Sequence, residues 1–301
     1  MIDAPATGDI PPALAVLEFD AAGVATGHRM ADPASPQLSV NDLSATRGDG
    51  IFETLSVGGG RAQAVRPHLD RFAVSARMLD LDLPAAPVWE AAIADVLAAM
   101  GGPADPAEGY VKLVFSRGVE GLDVPTGWAY GSVSPDFADA RRDGYAIVLL
   151  DRGYAHDVPQ TSPWLLQGAK TLSYAVNRAA VREAARRGAD DVVFVTSDGR
   201  LLEGPSSTLV VRHGDRLRTP PSEIGILAGT TQGDLFAWAG GRGLDTSVEM
   251  LTPADLASAD AAWLVSSVRH AIPIHTADGA PLPVDAELSA AMNAFLLART
   301  A

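Results

Sequence analysis

Apolar runs of strand length recur along the 301-residue chain and are mixed irregularly with a few stretches of helical spacing. Leu69, Phe72 and Ala76 fall on one helix face, whereas Ile51 to Val57 is a short apolar run after a Gly-Asp-Gly turn. The irregular order argues against a doubly wound sheet or a barrel and predicts an α+β / α/β chain of two domains. The predicted strands are 13–19, 51–57, 110–116, 127–133, 145–150, 192–195, 201–203, 208–211, 216–218 and 263–266, and the predicted helices are 67–81, 88–100, 172–187, 232–239 and 286–297.

A polar stretch with a proline divides this pattern in two. It covers residues 136–143 and precedes a new apolar strand, as interdomain linkers often do. We therefore predict a small N-terminal α+β domain over 1–135, a linker over 136–143 and a larger C-terminal domain over 144–301.

Composition narrows the class of protein. Apolar residues make up 47% of the chain, which is typical of a packed fold, and the net charge of −14 argues against nucleic acid or an anionic membrane as a partner. Cysteine is absent, which excludes disulfides and a thiol nucleophile, and the six histidines show no metal-ligand spacing. The chain has no apolar stretch of membrane-spanning length and its first residues do not resemble a signal peptide, so we expect a cytoplasmic protein.

Lysine is scarce in this chain. Only Lys112 and Lys170 are lysines, and the other 21 of the 23 basic residues are arginines, which cannot do amine chemistry. Lys170 precedes a predicted helix, whose positive N-terminal end disfavours an ammonium and so favours the neutral amine needed for a Schiff base. An ordinary surface lysine is the alternative.

Three further positions are candidates on weaker grounds. Glu203 ends an apolar run before small residues, and is either a solvated strand end or a carboxylate aimed into a cleft. Gly229-Thr230-Thr231 precedes a helix and predicts an anion site, with plain capping by Thr231 as the alternative. Arg117 closes a strand where it could clamp a carboxylate. Spacing alone places Arg71 on the surface.

Taken in order, these positions resemble the class IV family of pyridoxal-phosphate enzymes, which holds branched-chain and D-amino-acid aminotransferases and aminodeoxychorismate lyase. The resemblance runs from about residue 38 to 278. Each motif is weak alone, but six in the right order are specific. They are Arg47-Gly48-Asp49-Gly50-Ile51-Phe52-Glu53-Thr54, His68-Leu69-Asp70-Arg71-Phe72, Ser116-Arg117-Gly118, Lys170-Thr171-Leu172-Ser173-Tyr174, Glu203-Gly204, and Thr219-Pro220-Pro221 leading into Gly229-Thr230-Thr231.

The resemblance implies pyridoxal 5′-phosphate as cofactor and a role for each motif. Lys170 would hold the cofactor aldehyde as a Schiff base and move the proton at the substrate carbon. Glu203 would pair with the pyridine nitrogen, and Tyr174 would lie near the phenolic oxygen. Phosphate contacts are implied for Arg71, Thr230, Thr231 and Ser267, and substrate contacts for Phe52, Arg117 and Ser266.

Within the family, the motifs around Lys170, Glu203 and Ser266 are most similar to aminodeoxychorismate lyase of the actinobacterial type. That similarity implies elimination of pyruvate to give 4-aminobenzoate for folate synthesis, and a homodimer. Two positions depart from relatives: Ser266 replaces an asparagine of some lyases, and Arg47 replaces an aromatic residue. A D-amino-acid or branched-chain aminotransferase is the alternative activity, and a non-catalytic protein on the same scaffold is a third.

Overall fold

The computed structural model describes residues 10–101 and 108–299. Residues 1–9, on which part of the signal-peptide argument rests, lie outside that description. The packing of the chain divides it into two units, one up to Pro135 together with Arg299, and one over Asp136–Ala298.

The first unit is built on an antiparallel sheet with the strand order β2-β1-β6-β5-β3-β4. Alternate residues of β5 share one buried face, where Val111, Leu113 and Phe115 all point. The helices cover that face: the rings of Phe72 and Trp89 meet edge to face at 5.2 Å. The elements are β1 (Ala13–Phe19), β2 (Ala25–Ala31), α1 (Leu43–Thr46), β3 (Gly50–Gly58), β4 (Arg61–Ala62), α2 (Val65–Met78), α3 (Ala86–Ala99), β5 (Gly109–Ser116) and β6 (Thr126–Val133).

The second unit contains a mixed sheet with the order β11-β10-β9-β12-β13-β7-β8, and β14 pairs with β13. The neighbours β13, β7 and β8 run parallel. Its elements are α4 (Ala138–Asp143), β7 (Tyr145–Asp151), α5 (Val158–Thr161), α6 (Ala175–Arg186), β8 (Asp191–Val195), β9 (Thr208–His213), β10 (Arg216–Thr219), α7 (Thr230–Gly240), β11 (Asp245–Val248), α8 (Pro253–Ala257), β12 (Ala261–Ser266), β13 (His270–Ala277), β14 (Ala280–Pro281) and α9 (Ala286–Ala298).

The central strands of this sheet are buried on both faces. Leu209, Val211 and Leu264 pack with residues of β7, β8 and β13 in one apolar cluster. Val210 and Trp263 point the other way and pack against α7 and α9. Loops that follow these strands are therefore held by a rigid support, and the predicted site residues of the second unit lie on such loops or at the ends of such elements.

Three predictions from the sequence are wrong in detail. Residues 136–143 are not a linker, because α4 forms there and Arg141 donates to the carbonyl oxygen of Arg269 at 3.1 Å within the second unit. Arg299 belongs to the first unit, where its carbonyl oxygen accepts from Gln63 at 2.9 Å. Residues 201–203 form no regular strand, since only Leu201 makes a bridge, to Val195.

Candidate active site

Lys170 lies in the loop between a short 3₁₀ helix at Pro163–Leu165 and helix α6, and its residue is partly buried. The loop packs on Gly225, where a Cβ atom would come within 2.8 Å of the Cβ of Gln167 and where φ is +92°. Helix α6 begins at Ala175, not at residue 172. The helix-dipole argument for a neutral Lys170 amine is correspondingly weaker, because that effect decays within the first turn.

Glu203 is a partly buried carboxylate beside β8. Its backbone is fixed because its carbonyl oxygen accepts from the Phe194 amide at 3.0 Å. Its side-chain Oε1 accepts from the backbone N–H of Leu227 at 3.1 Å. This contact with a second loop favours a carboxylate aimed into a cleft over a solvated strand end, and Glu203 shares the unit that carries Lys170.

The start of helix α7 carries a group of hydroxyls. Thr231 is 3% exposed, and its Oγ1 lies 3.4 Å from the Oγ of Ser267. The N-cap residue is Gly229, which has no side chain to cap the helix, so plain capping by Thr231 as N-cap is wrong. A side chain at Gly229 would put its Cβ 2.4 Å from the Oγ1 of Thr208, which leaves glycine there. Backbone amides and hydroxyls at a helix start suit a phosphate group, so this unit fits the cofactor's phosphate.

Tyr174 and Ser266 lie at the ends of elements that adjoin these loops. Tyr174 is the N-cap residue of α6 and makes no side-chain cap. Ser266 ends β12, and its Oγ accepts from the Arg269 amide at 3.4 Å. Together with Lys170, Glu203 and Thr230, they share the second unit.

Arg71 in the first unit is not a surface residue. Its guanidinium forms a fork with Glu53, with Nε 2.7 Å from Oε1 and Nη2 2.8 Å from Oε2. The Nδ1 atom of His68 lies 2.7 Å from the same carboxylate. Burial alone would raise the pKa of Glu53, but the Arg71 charge and the hydrogen bonds from Arg71 and His68 hold that pKa well below its usual range. Helical spacing misplaced Arg71 because the buried partner lies on another element, β3.

Phe52 and Arg117 also lie in the first unit. Phe52 is partly buried on β3, where its backbone pairs with Val114 of β5. The Arg117 side chain is 44% exposed, and its Nε donates to Asp49 at 2.9 Å. Its Nη2 donates to the carbonyl oxygen of Leu79 at 2.6 Å. These contacts orient the guanidinium, and a substrate carboxylate remains a proposal for its other donors.

Two absences concern the described residues, one of metal-ligand groups and one of membrane-spanning helices. Within residues 10–101 and 108–299, histidine, aspartate and glutamate side chains nowhere form a group of three able to hold a metal ion. Over the same ranges, no helix has the length and apolarity needed to cross a bilayer.

Comparison with known proteins agrees with the geometry. The family model "Amino-transferase class IV" matches residues 50–277. A protein of Mycobacterium tuberculosis described as "Bifunctional aminodeoxychorismate lyase / D-amino acid transaminase" is 47% identical over 261 residues, which is 83% of this chain and 89% of that protein. The fold IV transaminase CpuTA1 of Curtobacterium pusillum superposes with a TM-score of 0.91 at 47% identity, over 96% of this chain and 100% of that one.

A third comparison concerns the cofactor. The pyridoxal-phosphate-bound form of a hypothetical aminotransferase from Mycobacterium tuberculosis superposes with a TM-score of 0.85 at 42% identity, over 95% of this chain and 99% of that one. The chain belongs to the class IV aminotransferases, and its cofactor is pyridoxal phosphate. Its two-unit α+β architecture is the fold of that family.

Proposed function

We propose that this protein is a 4-amino-4-deoxychorismate lyase that releases pyruvate and forms 4-aminobenzoate for folate synthesis. One observation carries the proposal: a relative that is 47% identical over 261 residues bears the lyase activity in its description. The chain supplies an amine at Lys170, a fixed carboxylate at Glu203 and a hydroxyl-lined helix start at Thr231, which are the groups such an enzyme needs.

Each group has a physical role in this proposal. Pyridoxal phosphate, when bound, supplies an electron sink next to the reacting carbon. Lys170 would hold the cofactor aldehyde covalently, and Glu203 would keep the pyridine nitrogen protonated by offering it a carboxylate. Phosphate contacts are proposed for Thr230, Thr231 and Ser267 of the second unit and, separately, for Arg71. Tyr174 would contact the phenolic oxygen.

The elimination demands little beyond one proton carrier. In this proposal a proton leaves the ring carbon that bears the amino group, and the bond between the neighbouring ring carbon and the enolpyruvyl oxygen breaks. The released enolpyruvate takes up a proton and becomes pyruvate. The Lys170 amine would take the proton that leaves the ring. Formation of an aromatic ring drives the step, so no second substrate is required. Phe52, Arg117 and Ser266 would contact the substrate, and the guanidinium of Arg117 suits a carboxylate.

A D-amino-acid transaminase is the second candidate, because the same relative carries that activity in its description as well. A branched-chain aminotransferase would use the same lysine. A transaminase must return the cofactor to its aldehyde form with a keto acid, whereas a lyase has no such requirement. Dependence on an added keto acid therefore separates the two activities.

The test uses the purified protein loaded with pyridoxal phosphate. Aminodeoxychorismate should give pyruvate and 4-aminobenzoate in equal amounts without any keto acid, and Lys170→Ala should abolish both. A protein that forms neither product, yet transfers the amino group of D-alanine to 2-oxoglutarate, would be a transaminase and not a lyase. We also propose a cytoplasmic homodimer, which light scattering and cell fractionation would check.

A further inference from the structure

The loops that carry Lys170 and Glu203 are joined by a chain of side-chain hydrogen bonds. The Tyr154 hydroxyl donates to the Oε1 of Gln167, three residues before Lys170. The Nδ2 of Asn177 donates to the carbonyl oxygen of Pro205 at 2.7 Å, two residues after Glu203. Both ends of the chain are therefore within three residues of a predicted cofactor contact.

Arg152, which directly follows β7, connects the two ends. Its Nε donates to the Tyr154 hydroxyl at 3.2 Å, and its Nη2 donates to the Oδ1 of Asn177 at 3.2 Å. The guanidinium stacks on the ring of Phe194, 4.4 Å from the ring centre. Phe194 also pairs with the backbone of Glu203, so the face on which Arg152 rests is part of the support of that carboxylate.

Two properties of Arg152 are not explained by packing. Its Nη1 atom is buried and has no hydrogen-bond partner among the described residues, and a buried N–H in that condition is costly. Its charge also has no carboxylate within ion-pair distance in the described ranges, unlike Arg71, Arg218 and Arg269. Neither property stabilises the fold, so stability alone does not explain an arginine at this position.

We propose that Arg152 is a positioning residue that fixes the Lys170 loop and the Glu203 loop at the separation the cofactor requires. It acts through Tyr154 and Gln167 on one side, and through Asn177 and Pro205 on the other. The planar fork of an arginine is needed, because the two bonds leave it in different fixed directions and a lysine ammonium cannot reproduce them. Tyr154 is itself sensitive to this environment: burial raises its pKa, the hydrogen bond and charge of Arg152 partly offset that rise, and the charge of Glu203 adds to it.

The inference rests on the proposed roles of Lys170 and Glu203 but does not depend on whether the enzyme is a lyase or a transaminase. The experiment first establishes those roles. The apoprotein is titrated with pyridoxal phosphate while the visible absorbance of the Lys170–cofactor linkage is followed. A wild-type protein that gives no visible band, or a Lys170→Ala variant that keeps it, would refute the proposed site and not the role of Arg152 alone.

The decisive variants are Arg152→Gln and Arg152→Lys, with Arg218→Gln as the matched control. Arg218 is also a partly buried arginine of the second unit, its three side-chain partners are Glu249, Asp255 and His213, and it contacts neither loop. Arg152→Gln should weaken cofactor affinity by about 10- to 100-fold, the range found when a residue that orients a binding group is replaced. Arg152→Lys should be nearly as weak, while Arg218→Gln should bind like the wild type.

A second readout separates positioning from a loss of stability. Misplacement of Glu203 would leave the cofactor's pyridine nitrogen less protonated and so favour the protonated linkage, and Arg152→Gln should therefore raise the pH midpoint of the visible absorbance change. Arg152→Lys, which keeps the charge but not the planar fork, should raise this midpoint as well. A merely structural arginine would lower the melting temperature of the apoprotein without moving this midpoint. Wild-type affinity and midpoint in Arg152→Gln would overturn the proposal, as would full recovery of affinity in Arg152→Lys.

Two milder variants test the same proposal if Arg152→Gln does not fold. Tyr154→Phe removes one hydroxyl, and Asn177→Ala removes the amide that reaches Pro205. Each should weaken cofactor affinity, and together they should lose less than the product of their separate effects, because they interrupt one chain. Independent effects that simply multiply, or no effect of either, would contradict a single chain that runs through Arg152.

Discussion

The replacement Glu53→Gln tests the buried ion cluster of the first unit. The Glu53 side chain is fully buried and accepts from Arg71 through both oxygens, with His68 as a third partner. A glutamine keeps the volume, but it turns an NH₂ group toward a donor and removes the negative charge that Arg71 faces. Removal of one partner from a buried ion pair costs about 3–5 kcal/mol.

This cost translates into a measurable shift. For a unit of this size, each kcal/mol lowers the melting temperature by roughly 3 °C, so Glu53→Gln should melt about 10 °C below the wild type at pH 7. The measurement is calorimetry or circular dichroism on the apoprotein. Glu183→Gln is the matched control, because Glu183 also pairs with two arginines but those partners are exposed, and ion pairs near the surface contribute little to stability.

The stabilising effect of Glu53 should depend on pH. The folded-state pKa of Glu53 is depressed, so the unfolded chain takes up the proton first as the pH falls below about 4.3, the ordinary value for a glutamate. The stability that Glu53 provides is therefore complete at neutral pH and is lost progressively in acid. The gap between wild type and Glu53→Gln should narrow below pH ~4. A melting-temperature difference below about 2 °C at pH 7, the size expected for an exposed ion pair, would refute this account. A difference that widens in acid would refute it as well.

Three further replacements test the proposed site. Lys170→Ala should abolish both turnover and the visible absorbance of the bound cofactor, as measured by spectrophotometry. Gly229→Ala should weaken cofactor binding about tenfold, because its Cβ would lie 2.4 Å from the Oγ1 of Thr208 and move the helix start; fluorescence titration of the apoprotein measures this. Arg117→Gln should raise KM for a carboxylate substrate by about tenfold or more while cofactor affinity stays unchanged, since Asp49 and two carbonyl oxygens hold that guanidinium in the first unit.

Sequence periodicity predicts those helices and strands in which each face stays buried, or stays exposed, along the whole element. Strand β1 has the predicted bounds, and the predicted hairpin at residues 208–218 exists as β9 and β10. Strand β2 was missed because it is a polar edge strand whose residues are all exposed or partly exposed. Strand β13 was missed for another reason: it contains Pro273, which argues against a central strand, yet its backbone pairs with β12 and shifts register near Ile274 on its β7 side.

The residues of the candidate site likewise divide into those that the sequence indicates and those that only the structure reveals. Lys170 could be found because lysine is scarce, and Glu203 and Thr231 because they stand at element ends beside small residues. Glu53, His68 and Arg152 gave no such signal. Glu53 lies within a recognised motif, but its role depends on Arg71, which is 18 residues further along the chain. Arg152 follows a strand in the way that many surface arginines do.

The two arginines show why a helical wheel or a charge pattern cannot rank buried cations. Arg71 is only 13% exposed and is balanced by a fully buried carboxylate, so its burial is explained by its ion pair. Arg152 is partly buried with no carboxylate partner in the described part of the chain, and one of its N–H groups is unsatisfied there. Sequence treats the two alike, because the compensating groups come from other elements. The two arginines differ in their ion-pair partners. The ion pair with Glu53 explains the burial of Arg71 through stability alone. Among the described residues Arg152 lacks such an ion pair and hydrogen-bonds to side chains that contact two loops, so its burial calls for a functional reason and for the affinity measurements that test it.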